Sequence, residues 1–287
     1  MIYFKKIFFY QSLLVAVLFL LIFWLVLKLG PNVWWGVALV DKPIMSADWG
    51  EPQSLNFNTG DWESSANISS DGNTLLFSFY PGDLSQALAT GKLIDDLDVY
   101  YSVSPFIKAE KHTLSEDQWS EIGAIISESD IYYAANRNHL DNYDIYKNGQ
   151  VIINTLNKSE KDPHYCAAQA ELYFEVDGYI YVNKNNQTTA LPFPINDESR
   201  NLQPFLTPDC QIIYFTSTRG DGLFKILRSQ RSGENFWSEP ELVASSRYGV
   251  GEPSLTADGQ RLFFVQILKS AKETINADIF YVDKLEK

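Results

Sequence analysis

The chain has 287 residues, a formal charge of −13 at pH 7 and two cysteines. Such acidity repels phosphate backbones and argues against a nucleic-acid partner, and two cysteines outside any C-x-x-C spacing make neither a zinc site nor a disulfide framework. Hydrophobic residues at 45 % supply a core, and the 14 % aromatic content favours pleated sheet.

The chain opens with a short basic stretch, residues 1–6, holding Lys5 and Lys6. Residues 7–29, "IFFYQSLLVAVLFLLIFWLVLKL", carry a single charge, Lys28. A bilayer core takes about 20 residues of helix, whereas the apolar part of a cleavable signal runs to roughly 7–15. The run therefore predicts an uncleaved transmembrane signal-anchor helix. Lys5 and Lys6 keep the amino terminus cytoplasmic and put the chain beyond Leu29 on the periplasmic or extracellular side of an inner or plasma membrane. Trp34 and Trp35 suit the membrane interface, and residues 30–45 read as a juxtamembrane linker. The remainder, 46–287, contains nineteen basic and thirty-five acidic side chains.

A phrase near the start of that domain, "DWGEPQSL" (48–55), returns as "FWSEPELV" (236–243). Between and beyond them lie five gapless copies of a 13-residue unit: 65–77, 121–133, 162–174, 203–215 and 252–264. Turn residues such as "SDGN" and "ADGQ" divide a copy into two strands. Most copies are followed by a third phrase of period two, as in "NADIFYV" and "DGYIYVN". The best helical candidate, 84–97, decorates a loop. Four-stranded units at this spacing predict an all-β, five-bladed β-propeller of antiparallel blades. The W-x-E-P phrase supplies a fourth strand. The last copy ends with the chain and lacks one, and "DWGEPQSL" is a strand without a blade. Trp49, Glu51 and Pro52 are therefore assigned to ring closure, with Trp49–Leu55 pairing with the final blade and the indole packed between neighbouring blades. Closure removes two open sheet edges.

The phrases "PSLTADGQRLFF", "ADIFYV" and "QPFLTPDCQIIYFTSTRGDG" resemble the TolB-type (WD40-like) β-propeller repeat over about residues 46–287. The resemblance implies the fold and an envelope setting. TolB itself carries an additional α/β domain and binds an outer-membrane lipoprotein, and that partner does not transfer.

The first residues of the five copies, Ser65, Glu121, Asp162, Gln203 and Glu252, are predicted to line the central channel, with His164 nearby. Oxygen ligands from separate blades suit a hard cation such as Ca²⁺; no other cofactor is indicated. Five-bladed arabinanases and fructosidases place three carboxylates at a propeller centre, so Glu121, Asp162 and Glu252 are candidates for acid–base glycoside hydrolysis or for metal binding. Asp98, Asp144 and Asp278 read as loop caps, near Arg137 or Arg219. Cys166 and Cys210 fall near the first-to-second strand turns of adjacent blades and form a candidate disulfide pair. The preferred expectation is a membrane-anchored binding or scaffolding module for a protein or glycan partner, with a hydrolase or a cation-stabilised structural propeller as alternatives.

Overall fold

Nearly every apolar phrase of the repeat becomes a strand. The computed structural model describes residues 41–82, 97–139, 142–155, 157–234, 236–269 and 275–286. The stretches 1–6 and 7–29 and most of 30–45 lie outside the described residues, as does nearly all of the 84–97 segment. Among the described residues no helix is long and apolar enough to cross a membrane.

Two short strands come first, β1 (Ile44–Met45) and β2 (Gln53–Ser54). The first blade is β3 (Trp62–Ile68), β4 (Thr74–Tyr80), β5 (Asp98–Val103) and β6 (Ala109–Lys111). The second is β7 (Glu121–Ser127), β8 (Asp130–His139), β9 (Asn142–Lys147) and β10 (Gln150–Ile153). The third is β11 (Glu160–Cys166), β12 (Glu171–Val176), β13 (Tyr179–Lys184) and β14 (Gln187–Ala190). The fourth holds β15 (Asn201–Leu206), β16 (Ile212–Ser217) and β17 (Lys225–Gly233), the short β18 (Phe236–Trp237) folded back on β17, and β19 (Glu241–Ser245). The fifth has β20 (Val250–Leu255), β21 (Arg261–Lys269) and β22 (Ile275–Asp283). Strands within each blade pair antiparallel. The innermost strands β3, β7, β11, β15 and β20 each touch the next, and β20 touches β3, so five blades close into a ring.

The missing fourth strand of the last blade is β2. Gln53 lies opposite Tyr281 and Ser54 opposite Phe280, and Trp49 bridges to Lys284. Gly50 N donates to Asp283 O at 2.9 Å and Leu55 N to Ile279 O at 3.1 Å. Asn58 extends the seam, its Nδ2 donating to Ile279 O at 2.7 Å. In the fourth blade Trp237 lies opposite Arg231, and Glu241 opposite Arg228. The two W-x-E-P phrases thus occupy one register: tryptophan first, then a paired residue four positions on whose partner lies three positions back. Trp49 is buried among Tyr214, Ile226, Val243, Phe264 and Val282, between the fourth and fifth blades. Trp237 is buried among Tyr173, Ile180, Leu191 and Phe215, between the third and fourth. The phrase recurs because the same inter-blade gap recurs.

One boundary moves. Ile44 and Met45, read from sequence as the end of a linker, pair with Ser245 and Ala244 as an added edge strand on the fourth blade.

The first turns of the first, fourth and fifth blades are built alike. Ser69, Thr207 and Thr256 donate their hydroxyls to Asp71, Asp209 and Asp258 at 2.5, 2.6 and 2.6 Å. Gly72 and Gly259 follow with φ of 72° and 66°. In the fourth blade that left-handed position is Cys210, at φ 59°. It is joined to Cys166, which holds the turn-hydroxyl position of the third blade, with Cα atoms 6.0 Å apart.

Trp49→Ala and Trp237→Ala are each expected to cost about 3–5 kcal/mol, the usual range for emptying a buried tryptophan site. Urea midpoints of both variants check this; an undisturbed Trp49→Ala would mean that the clasp lies outside the cooperative unit. Replacing both cysteines by serine removes a cross-link spanning 44 residues, which loop-closure entropy values at about 4 kcal/mol. The double variant's midpoint, set beside that of the reduced wild-type chain, measures it.

Candidate ligand site at the centre of the ring

Each innermost strand slips register once: between Ser64 and Asn67, Ile122 and Ile125, Lys161 and His164, Leu202 and Phe205, and Gly251 and Ser254. A β-bulge of this kind re-aims a side chain. Its first residue is left-handed in every blade, with φ of 51° at Ser65, 62° at Gly123, 49° at Asp162, 51° at Gln203 and 58° at Glu252. Such backbone costs a residue bearing a Cβ roughly 1–2 kcal/mol, and strain of this sort gathers at ligand clamps. Pro163, Pro204 and Pro253 occupy the next, unpaired position, where a missing N–H breaks no ladder bond. The bulge is the physical meaning of the x-Pro pair that opens the repeat.

Glu121 is not in this ring, and here the sequence expectation is corrected. Asn67 lies opposite Leu76 in the first blade and Phe205 opposite Tyr214 in the fourth, but Ile125 lies opposite Tyr132 in the second. That hairpin turns two residues sooner, so a gapless alignment held on the second strand shifts the first strand by two. The ring position falls to Gly123. A Cβ there would stand 3.1 Å from both Cα and Oδ1 of Asp162, so only glycine lets the two inner strands approach. Glu121 aligns instead with Glu63 and Glu160, two residues upstream of the ring in their blades, and all three are buried. Arg137 Nη2 meets Glu121 Oε1 at 3.1 Å and also donates to Leu114 O at 3.0 Å. Burial pushes the Glu121 carboxyl up to about 7, with Arg137 opposing. Thr59 donates its N–H and its hydroxyl to Glu63 Oε1 at 3.2 and 2.5 Å. Burial raises Glu63 to about 7 as well, against that hydroxyl.

The ring itself carries Ser65, Asp162, Gln203 and Glu252. Both oxygens of Glu252 are engaged: Gln203 Nε2 donates to Oε1 at 2.9 Å, and the backbone N–H of Ser65 donates to Oε2. One carboxyl therefore ties the fourth, fifth and first blades together. Burial pushes it up to about 8, Asp162 adding to the shift and the Ser65 N–H opposing it. The Asp162 carboxyl accepts no hydrogen bond among the described residues. Burial, with Glu175 adding and Lys161 opposing, pushes it up to about 7. Glu175 accepts from Gly178 N at 2.6 Å; burial raises it too, the Gly178 N–H, Lys161 and Arg200 opposing.

These groups line a cavity of about 300 Å³ on the side where the inner strands begin, walled by Trp62, Leu97, Ile122, Phe224 and Val265. His164 does not join them. It lies two residues beyond Asp162 and lines a second cavity, of about 200 Å³, beyond the ring. There it is buried with its ring 4.7 Å from that of Phe205, and burial lowers it to about 4, leaving it neutral. With Glu121 displaced, the predicted cation set shrinks to Asp162 and Glu252; among the described residues no three His, Cys, Asp or Glu side chains converge as metal ligands.

Three cavity groups escaped sequence reasoning. Lys161 and Arg200 flank ring positions, outside the 13-residue frame. Glu175 had a legible signal: an acid where the other blades place Ser78, Ala134, Thr216 and Val265 opposite the residue before the ring. The aspartates read as caps bond side chains: Asp144 and Asp278 accept from Asn138 and Asn276 at 2.7 and 2.8 Å, and Asp98 pairs with Lys111 at 2.9 Å. Arg219 pairs with Asp197 at 3.4 Å.

Carboxyls raised by burial hold protons in the folded chain that the unfolded chain has released. Their contribution to stability is complete below about pH 4.5 and is lost as pH rises through 7 and 8, the values of Asp162 and Glu252. Urea midpoints should accordingly fall between pH 5 and 9, on the order of the window these groups set. Glu252→Gln should flatten the upper part of that decline; an unchanged slope would place the titration elsewhere.

No family model and no curated protein matches the sequence. Among solved structures, a thermostable family-43 glycoside hydrolase is similar with a TM-score of 0.53 at 12 % identity, over 82 % of this chain and 93 % of that one. Another glycoside hydrolase gives 0.54 at 12 % identity, over 81 % of this chain and 61 % of its own. A structure described as a TolB from Agrobacterium tumefaciens gives 0.48 at 17 % identity, over 82 % of this chain and 97 % of that one. Identities this low speak for the fold alone, and the fold is a β-propeller.

Proposed function

We propose that the protein is a glycan-binding propeller of the cell envelope, anchored by residues 7–29, that seats a polar sugar residue in the central cavity. A volume of about 300 Å³ is at the small end of ligand pockets and fits one sugar ring better than a protein surface. Trp62 and Phe224 offer aromatic faces for such a ring, and Asp162 and Gln203 offer polar groups to its hydroxyls. The apolar run 7–29 supports membrane anchoring. The Cys166–Cys210 bond supports an oxidising compartment.

The state of the two central carboxyls carries the choice of binding over hydrolysis. A glycosidase needs one carboxyl protonated and another ionised, in environments that push them apart. Here Glu252 already bonds its own framework through both oxygens, so it is not free to serve as the second carboxyl. The free Asp162 carboxyl is left to meet a ligand.

A glycan array probed with the full chain in detergent, with product analysis on each glycan that binds, tests this. Binding without turnover is expected, weakened roughly 2- to 10-fold in Asp162→Asn, as for one altered hydrogen-bonding group. Glu121→Gln should keep the affinity while lowering stability, because it removes the charge opposite Arg137. Turnover of any bound glycan, abolished by Asp162→Asn, would overturn the binding reading.

A further inference from the structure

The charge pattern around the cavity names a ligand class. Three half-buried arginines elsewhere face acids, Arg137 meeting Glu121 at 3.1 Å, Arg219 meeting Asp197 at 3.4 Å and Arg231 meeting Glu171 at 2.8 Å, whereas Lys161 is half-buried and Arg200 exposed at the cavity rim. Lys161 and Arg200 line the cavity without closing an ion pair among the described residues. Each is set against an aromatic face instead. Lys161 Nζ stands 5.6 Å from the centre of the Tyr143 ring, and Arg200 Cζ stands 5.6 Å from that of Phe224. The Arg200 stem runs over the bare Gly178 turn of the third blade, its Cγ at contact distance, 3.4 Å, from where a Cβ would stand. Two cations from neighbouring blades are thereby positioned at one cavity and left available.

We infer that the sugar bound here carries a carboxylate, held by Lys161 and Arg200 while its hydroxyls meet Asp162 and Gln203. This rests on the glycan-binding reading and adds the ligand's charge to it. An overall charge of −13 disfavours anions at long range, so the preference has to be local, and the cavity supplies the means. Its ionisable lining is Lys161, Asp162, Glu175, Arg200 and Glu252, with Tyr143 behind Lys161. Burial raises all three carboxyls, Asp162 to about 7 and Glu252 to about 8, which weakens the negative charge set beside the two cations. A carboxylate also replaces water around a guanidinium with charge-assisted hydrogen bonds, the stronger class.

Methyl glucuronoside and methyl glucoside, which differ in the carboxylate at C6, are the probes, titrated against the full chain by ligand-observed NMR at pH 6.5, on the order of half a unit below the Asp162 value. The acidic sugar is expected to bind tighter by on the order of tenfold or more. Lys161→Gln and Arg200→Gln should each narrow the gap, Lys161→Arg should preserve it, and raising the pH through 7 and 8 should weaken the acidic sugar more than the neutral one. Equal affinities, or a gap that survives both glutamine substitutions, would overturn the inference and leave the glycan reading standing. Binding of neither sugar, at concentrations where the array glycans bind, would also overturn it. No binding of any glycan would overturn both.

Discussion

The pairing of Gln53 and Ser54 with Tyr281 and Phe280 governs the rest of the molecule. A propeller built from four complete blades and one three-stranded blade has an open seam, and open sheet edges invite pairing with other chains. Drawing β2 from one end of the domain onto β22 at the other closes the ring with non-local hydrogen bonds. The seam is also closed at smaller radius. Ser254 Oγ accepts from Ile68 N at 3.0 Å, and Glu252 accepts from Ser65 N at the centre. Only when these contacts form together do the bulge residues of separate blades face one cavity.

The centre is locally costly. Four non-glycine residues stand in left-handed backbone, and carboxyls form two layers, half-buried at the ring and buried two residues upstream. The upstream acids largely have neighbours of their own: Arg137 for Glu121 and Thr59 for Glu63. In the ring, Glu252 joins blades, and Asp162 does not. That asymmetry separates groups that hold the scaffold from one the scaffold does not use. The two cations beside it line the same cavity, and the neutral His164 lies in the second cavity, away from these ionisable groups.

Similar shape reaches across proteins of very different chemistry here, because a propeller's ring is a frame that five side chains decorate. A family-43 glycoside hydrolase shares this fold at 12 % identity, yet the decoration of the present ring is serine, glycine, aspartate, glutamine and glutamate. What such a centre can do depends on which carboxyls are free and how burial sets their protons, and neither is a consequence of fold.

Much of the architecture was legible in the residues. Period-two phrases, Asp-Gly turns and an echoed W-x-E-P determined five blades, their order and the strand that closes them, because those signals are local and the hydrogen-bond register of a strand is set by its hydrophobic pattern. Asp162, Gln203, Glu252 and Ser65 were placed at the centre for the same reason. Glu121 was misplaced because hairpin length is invisible to a gapless alignment: the second blade turns two residues sooner, and a shift of two keeps the same face in a strand while moving a side chain one full repeat along it. Lys161 and Arg200 entered the cavity only through tertiary structure, since they come from different blades and their meeting depends on how those blades pack. The sequence alone determined which residues point inward; which of them meet, and with what charge, was decided by closure of the ring and by the burial that closure imposes.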